Sequence, residues 1–559
     1  MGMQKQWQAV HDALGARAPD YDDTPMGAYL ERHAKDRPDA VALRYMTLAI
    51  TYGELNRQVN RFANALKDLG VGRGDTVGFH MPNIPQYVIA VAAVSKLGAQ
   101  GSGVSPLLAP PELIHQIDDA GISVLVSLAD FAPALAAMSR VPDGLKHVIS
   151  VGAGDALGAP DVSPVDLPGV AGHTWQGVMA DASEDFRQVE VDPHDTFMIQ
   201  YTGGTTGKPK GAEISHRNVM HNPVMVEALD PDYALYEESY ASAFPFFHIA
   251  GFSMICGAMI YGAEIRLLPN PRDIDHFVDV LQSHPPTILA GVPALYDMLI
   301  AHPGFKDVDW SRLKIAKSGA APLTRTTYDN LSAVIGENKV SDVFGMTETG
   351  PCHVCHPISR YKLGSVGVPM PGTDLKIMDV ETGTREMPLG EPGEIATAGP
   401  QVMKGYLGLP EESARALREI DGVRYMFTGD VGYMDEDGYV FLCDRAKDML
   451  VVGGFKVFSV EVEDKLKAHP DVAESAIVGA PDEKRPGNDI VHLFVQRSPD
   501  SEGDAGQVTK RLLDWFRANM APYKVPKHIH FVDAIPLTPV GKIDKKKMRA
   551  DILDGAASA

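Results

Sequence analysis

The sequence predicts an α/β fold with a large N-terminal domain of layered α/β subdomains, followed by a small α+β domain. Three observations carry this. The chain has 559 residues, more than one core serves, because single cores stop growing at roughly 250–300 residues. Helical patterns alternate with short apolar runs through most of the chain, as in layered α/β structure with largely parallel sheet. Near residues 444–447 that alternation gives way to a different order of helix and strand.

The elements follow in order. Residues 51–70, TYGELNRQVNRFANALKDLG, carry Leu55, Val59, Phe62, Ala63 and Leu66 at spacings of three and four, the stripe of an amphipathic helix. Thr51 stands where a helix is capped and Gly70 where one stops. VGRGDTVGFHM reads as a turn and a strand, residues 84–97 as a helix, and residues 121–127 as a buried strand. Residues 152–172, rich in Gly, Pro, Ala and Asp, read as a surface loop. The most apolar window is 244–261, FPFFHIAGFSMICGAMIY. It holds a His and a Pro and is short for a membrane span of about 20 apolar residues, so it reads as a buried helix. Residues 288–289 and 313–317 continue the strands. Beyond them, 461–469 reads as a helix, 472–478 and 490–495 as strands and 508–520 as a helix. This unit of about 110 residues lies in the usual domain range. The expected domains are 1–444 and 445–559.

Composition narrows the function. With 45% hydrophobic and 22% charged residues the chain reads as an ordinary soluble protein. A formal net charge of −22 argues against a general binder of nucleic acid or membrane surfaces. Cys256, Cys352, Cys355 and Cys443 are too few for a disulfide framework, so a reducing cytoplasm is expected. The N-terminal stretch MGMQKQWQAVHDALGARAPD shows no apolar signal region.

Residues 201–211, YTGGTTGKPKG, hold four glycines, three threonines and two lysines in eleven positions. This is not a Walker loop: Thr202 stands where its first Gly belongs, and Pro209 replaces the Ser/Thr and removes a donor. The stretch still suits phosphate. Gly203, Gly204 and Gly207 allow close approach, and Thr202, Thr205 and Thr206 offer hydroxyl donors beside the backbone N–H groups. Lys208 and Lys210 add positive charge. A flexible linker has the same composition.

Four more stretches accompany it: SDVFGMTETG at 341–350, YMFTGD at 425–430, DRAKD at 444–448 and LTPVGKID at 537–544. In this order and at these separations the five resemble the adenylate-forming superfamily of acyl-CoA synthetases, adenylation domains and luciferases. The resemblance runs over nearly the whole chain, from TYGELN to GKIDKKK. It implies ATP and magnesium as cofactors, coenzyme A as co-substrate, and a C-terminal domain that is mobile. The glycine–threonine stretch would hold the β- and γ-phosphates while a carboxylate attacks the α-phosphorus.

The resemblance also implies roles. Lys542 in PVGKID matches the catalytic lysine that bridges carboxylate and α-phosphate, a task suited to a compact ammonium. Without the motif it would read as one of a solvated run with Lys545, Lys546 and Lys547. Glu348, with Thr205, matches the magnesium site, since magnesium takes one or two carboxylates plus phosphate oxygens. Thr347 would donate to the α-phosphate. Phe344 stands where the family often has a Tyr on adenine; stacking survives and the hydroxyl is lost. Asp342, Gly345 and Met346 flank it in the nucleotide site. Gly319, Ala320 and Ala321 match the segment between adenine and the acyl chain. Asp430 would accept both ribose hydroxyls with Arg445 as its partner, and Lys447 sits at the hinge. Gly453, Gly454 and Phe455 match the wall of the pantetheine tunnel, for which a plain hairpin turn is an equal account. His248 matches an aromatic–His motif near the acyl carboxylate, where a satisfied core histidine is the alternative.

Residues 352–356, CHVCH, spell the C-x-x-C-H haem signature and hint at zinc. Both are rejected. No export signal is visible, no second Cys/His pair stands at finger spacing, and the family places acyl-pocket wall here. Small soft thiols in an apolar wall account for the cysteines.

FPFFHIAGF carries no acid to hold an amino-acid ammonium, and 17 residues follow Lys542. A free-standing acid–CoA ligase is therefore expected. His248, Gly251, Phe252, Gly319, Gly345, Cys352 and Val354 are the expected substrate pocket, suited to a hydrophobic acid. SPLLAPPELIHQIDDAG and the GG of YTGGTTG look most like bacterial fatty-acyl-CoA ligases, which favours a medium- or long-chain fatty acid. A cinnamate- or benzoate-type aryl acid is the runner-up, because GAAPL and GMTETGP occur there too. A catalytically silent nucleotide-binding protein on the same fold is the reading from another class; Lys542, Glu348, Asp430 and Arg445 together speak against it. A homodimer is the common default for soluble enzymes.

Overall fold

A computed structural model describes residues 5–202, 209–229, 233–453, 455–482, 484–537 and 543–555. The chain divides into two compact units. One comprises Met1–Leu375, Thr397–Met426 and Glu436–Val440; the other comprises Lys376–Ala396, Phe427–Asp435 and Phe441–Ala559. The architecture is the expected mixed α/β, with a larger N-terminal and a smaller C-terminal part.

The larger unit is built on two sheets. In the eight-stranded one the spatial order is Gly405–Tyr406, Lys210–Ser215, Thr196–Thr202, Gln100–Gly103, Thr76–His80, Ile122–Leu128, His147–Val151, Ala171–Thr174. From Thr196–Thr202 onward the neighbours run parallel. The two strands on the other side pair antiparallel. The nine-stranded sheet holds Ser239–Ser242, Ile288–Gly291, Ile315–Gly319 and Val340–Gly345 as consecutive parallel neighbours, with Cys352–Cys355 antiparallel beside the last.

Helices cover the sheets where the sequence pattern places them. Tyr52–Asp68 is a helix whose Thr51 side chain accepts from the Glu54 N–H, and Leu55, Val59, Phe62, Ala63 and Leu66 are all buried. Gly70 follows at φ 86°, a left-handed conformation that glycine adopts at no steric cost. Pro85–Leu97 is buried at every position, as expected for a helix apolar all round. The apolar window at 244–261 is helical over Ile249–Tyr261 only. Before it, Tyr87 Oη donates to the Phe246 carbonyl at 2.9 Å and Asn83 Nδ2 donates to that of Phe244 at 3.0 Å, holding the 244–248 stretch as a turn. Among the described residues no helix is long and apolar enough to cross a membrane.

The smaller unit contains a three-stranded sheet of Val472–Pro481, Asp489–Arg497 and His528–Val532, the first pair antiparallel and the second parallel. Val462 and Leu466 of helix Ser459–Leu466, and Val508, Leu512 and Phe516 of helix Ala505–Asn519, pack against Ile477, Leu493 and Val495 on one sheet face. Met548 of helix Lys545–Leu553 packs against Ala476, Val478 and Phe494 on the other. The alternation of strand residues between two apolar faces is why both sides carry helices.

Candidate active site

Motif residues of the larger unit stand at the carboxyl ends of parallel strands, where α/β sheets place their ligands. Thr202 ends one strand, Gly319 another and Gly345 a third. Ile315–Gly319 and Val340–Gly345 are parallel neighbours in register Gly319↔Val343. The glycines have packing reasons: a Cβ on Gly345 would lie 1.9 Å from the Pro351 carbonyl oxygen, and one on Gly319 2.8 Å from Val343 Cγ2. Ala320 follows at φ 65°, a left-handed conformation rare for a residue with a side chain. Ala320 and Ala321 are exposed.

The TETG turn closes on itself. Met346 N–H donates to the Pro351 carbonyl at 2.9 Å, and Thr349 Oγ1 donates to the same oxygen at 2.8 Å. The turn presents Thr347 half-buried and Glu348 buried, 4% exposed. Glu348 Oε1 accepts from Tyr406 Oη at 2.7 Å. The Lys210 ammonium lies 5.0 Å from the Tyr406 ring centroid and pairs with Glu412 Oε2 at 2.7 Å. The structure therefore brings together the cation after the glycine–threonine stretch and the acid of the TETG turn. A single buried carboxylate fits magnesium arriving on a nucleotide, where phosphate oxygens complete the shell.

Asp342 is buried, and its carboxyl accepts from the Leu323 and Val343 N–H groups; burial pushes its pKa up to about 7. Phe344 is half-buried and meets His353 edge-on, ring centroids 4.9 Å apart. Cys352 and Val354, alternate residues of one strand, are buried. The histidines of CHVCH are each held inside the fold through one ring nitrogen: His353 Nδ1 lies 3.1 Å from Thr349 Oγ1, and His356 Nε2 lies 2.8 Å from Ser365 Oγ. Burial pushes their pKa values down, His353 to about 3 and His356 to about 4. Among the described residues no group of three His, Cys, Asp or Glu is arranged to hold a metal ion.

His248 caps the helix Ile249–Tyr261, its Nδ1 accepting from the Ala250 N–H at 3.2 Å, and it is exposed. It is thus not a core histidine. Gly251 is buried, with room for no side chain: a Cβ there would lie 2.1 Å from the Pro245 carbonyl oxygen. Phe252 is fully buried, ring centroid 5.5 Å from that of Phe197.

Two residues outside the quoted motifs matter. One is Tyr406. The other is Lys317, two positions before Gly319 and on the same strand face. It is 7% exposed, its ammonium lies 5.6 Å from the Tyr233 ring centroid, and its charge bears on the buried Cys352 thiol. The signal for Lys317 was a lone charge in an otherwise apolar strand, IAKSG; Tyr406 carried none.

In the smaller unit Arg445 Nε donates to Asp430 Oδ1 at 2.6 Å, with the Asp430 side chain 9% exposed. The Ala446 N–H donates to the Gly429 carbonyl at 2.9 Å and keeps DRAKD against TGD. Lys447 is exposed. Leu450–Val452 and Phe455–Val457 form a hairpin in register Val452↔Phe455. Gly453 stands at φ 61°, a left-handed conformation that glycine adopts at no steric cost, and its N–H donates to Asn488 Oδ1 at 2.7 Å. Phe455 is exposed and stacks on Tyr523 at 4.6 Å. Gly203, Gly204, Thr205, Thr206, Gly207, Lys208, Gly454 and Lys542 lie outside the described residues.

Known proteins match this chain along its length. Residues 30–407 match the model of the AMP-binding enzyme, and residues 461–542 that of the AMP-binding enzyme C-terminal domain. A long-chain-fatty-acid–CoA ligase of Bacillus subtilis (strain 168) is 33% identical over 526 residues, covering 91% of each chain. A feruloyl-CoA synthase of an Amycolatopsis species is 34% identical over 536 residues, covering 94% of this chain and 98% of its own. Among solved structures, an anthranilate CoA ligase in complex with anthranoyl-AMP superposes with a TM-score of 0.81 at 26% identity, covering 96% of this chain and 98% of its own. ATP-bound MatB from Rhodopseudomonas palustris gives 0.80 at 29% identity, covering 95% and 99%.

Proposed function

The chain belongs to the AMP-binding enzyme family, and on that premise we propose how this AMP-forming acid–CoA ligase treats its acid. A carboxylate is a poor acyl donor because its oxygen leaves badly. Attack of the carboxylate oxygen on the α-phosphorus of ATP forms an acyl-adenylate and expels pyrophosphate. The thiol of coenzyme A then attacks the acyl carbon, and AMP leaves. Both steps build negative charge that fixed donors and cations must meet.

In this reading Lys542, Lys208 and Lys210 face the phosphates, Thr347 donates to the α-phosphate, and Asp430 with Arg445 holds the ribose. Glu348, with Thr205, would hold the magnesium that neutralises phosphate charge. Phe344, Asp342 and Gly319–Ala321 flank adenine. Residues 445–559 act as the mobile domain, hinged at Lys447, which presents Lys542 for adenylation and Gly453–Phe455 for thioester formation. One observation carries the reading: Gly319 and Gly345 end adjacent parallel strands, and the turn that follows holds a buried Glu348 bonded to Tyr406, over whose ring the Lys210 ammonium lies.

Sequence analysis favours a fatty acid. A specific observation moves the preference to its runner-up, an aryl acid with a polar ring substituent. Lys317 is a buried ammonium over Tyr233 and close to Cys352, one of the residues that wall the acyl pocket in this reading. An alkyl tail beside it would add no hydrogen-bond acceptor to the aromatic face it already meets, and an unmatched polar group is costly in an apolar site. A phenolic or alkoxy oxygen on a ring gives it an acceptor, and the ring stacks with the tyrosine.

The experiment is pyrophosphate release from ATP with a panel of acids, with and without coenzyme A. We expect 4-hydroxycinnamate or a substituted benzoate to outperform dodecanoate. Lys317→Met should lower kcat/KM for the hydroxylated acid roughly ten- to hundredfold relative to its unsubstituted analogue, the cost of one unmatched buried polar group. Preference for dodecanoate, unmoved by Lys317→Met, returns the substrate to the fatty acids. Silence on every acid removes the ligase reading altogether.

A further inference from the structure

We propose that Tyr406 is a positioning residue for adenylation: its hydroxyl orients the Glu348 carboxylate toward the nucleotide-borne metal, and its ring seats Lys210. The proposal rests on the reading of Glu348 as the magnesium ligand and adds a residue that none of the motifs contains.

The geometry is built from the backbone. Gly405–Tyr406 pairs antiparallel with Lys210–Ser215 in register Tyr406↔Ala212. The strand is pinned on both sides of the tyrosine. The Met403 N–H donates to the backbone carbonyl of Glu348 itself at 2.9 Å, and the Leu407 N–H donates to that of Gly211 at 2.8 Å. The Tyr406 N–H donates to Ser413 Oγ at 2.8 Å, which in turn donates to the Leu409 carbonyl at 2.8 Å. Tyr406 therefore has little freedom in where its ring points. The hydroxyl reaches Glu348 Oε1 at 2.7 Å, and the ring face meets the Lys210 ammonium at 5.0 Å.

The chemistry assigns the donor. A phenol is neutral at physiological pH while a carboxylate is charged, and the two oxygens lie 2.7 Å apart. The phenol stays neutral and donates, and Glu348 stays the acceptor. A neutral donor fixes the plane of the carboxylate without cancelling its charge. That is what a group supporting a metal ligand must do, and loss of such partners costs about 10–100-fold in metal affinity. The ring has a second task. Lys210 otherwise depends on Glu412, an acid that competes with phosphate for it; the aromatic face offers the ammonium a neutral resting place.

The test measures binding, not turnover. An unreactive ATP analogue is titrated calorimetrically into the full chain at increasing magnesium, for the parent, Tyr406→Phe, Glu348→Gln and the double variant. The phenylalanine keeps the ring under Lys210 and removes only the hydroxyl. We expect the magnesium concentration for half-maximal nucleotide binding to rise about tenfold in Tyr406→Phe, with metal-free nucleotide affinity and melting temperature unchanged. The double variant should match Glu348→Gln alone, because Tyr406 acts through Glu348. If Tyr406→Phe titrates like the parent while Glu348→Gln is shifted, the proposal falls and the reading of Glu348 stands. Additive losses in the double variant also overturn it. If Glu348→Gln leaves the magnesium dependence unmoved, the reading of Glu348 falls and the proposal with it.

Discussion

Two carboxylates, one in each unit, each meet a different kind of partner among the described residues. Glu348 in the larger unit is buried and accepts from a neutral phenol, Tyr406, at 2.7 Å. Asp430 in the smaller unit is nearly as buried and accepts from a cation, Arg445, at 2.6 Å. A phenol orients a carboxylate and leaves its charge in place. A guanidinium orients it and neutralises most of it. The first arrangement suits an acid that must attract a metal cation; the second suits one that must accept from uncharged sugar hydroxyls. A third acid, Asp342, accepts from the backbone N–H groups of Leu323 and Val343, and burial raises its pKa to about 7. Sequence motifs mark all three acids alike, and only the partner tells their tasks apart.

The comparison can be broken most decisively at Glu348. Glu348→Gln keeps the shape and removes the charge. If that charge holds the metal, adenylation followed by pyrophosphate release should fall by about 10²–10³-fold, the usual worth of one fixed electrostatic group. Thioester formation from supplied acyl-adenylate should change far less. Equal loss in both halves would mean that Glu348 supports the fold of the turn and not the phosphates.

A smaller effect is expected at the other carboxylate. Arg445→Met removes the cation and keeps the stem. The KM for ATP should rise about tenfold with kcat nearly unchanged, the signature of a binding contact worth one charge-assisted hydrogen bond. A fall in kcat with KM constant would move Arg445 from ribose binding to the chemical step and erase the contrast with Glu348.

A change in stability sharpens the third case. Asp342 has a folded pKa of about 7 against an ordinary value of 3.8. The folded state therefore holds its proton more tightly. Its contribution to stability is complete below the unfolded value and is lost as pH rises through about 7. Asp342→Asn mimics the protonated form. It should raise the melting temperature at pH 8, by the equivalent of about 4 kcal/mol, and leave it unchanged at pH 4. Thermal melts across that range check it; a gain at pH 4 as large as that at pH 8 would refute the titration.

Much of the fold was legible because it is written locally. The five apolar positions of helix Tyr52–Asp68 and its Thr51 cap lie within one stretch of chain, and all are observed. Strands Ile122–Leu128 and Ile315–Gly319 follow from short apolar runs. The helix expected over 244–261 starts only at Ile249, since Asn83 and Tyr87, far back in the sequence, hold the preceding backbone as a turn. The site was legible where a motif is contiguous, as in TETG. It was not where a contact joins distant segments: Lys210 and Glu412 are 202 positions apart, and Glu348 and Tyr406 are 58 apart. His248 shows the same limit. Its motif suggested either a pocket or a core; the structure takes it out of the core and makes it an exposed helix cap.

By itself the sequence determined the α/β class, the order of helices and strands, and the residue types at each turn, because periodicity, capping and backbone freedom act over a few neighbouring residues. The tertiary structure decided which phenol meets Glu348, which guanidinium meets Asp430, and that Lys317 is buried over an aromatic ring. Those choices depend on strand order and register, which bring together groups from separate elements of the chain, and no local pattern carries that information.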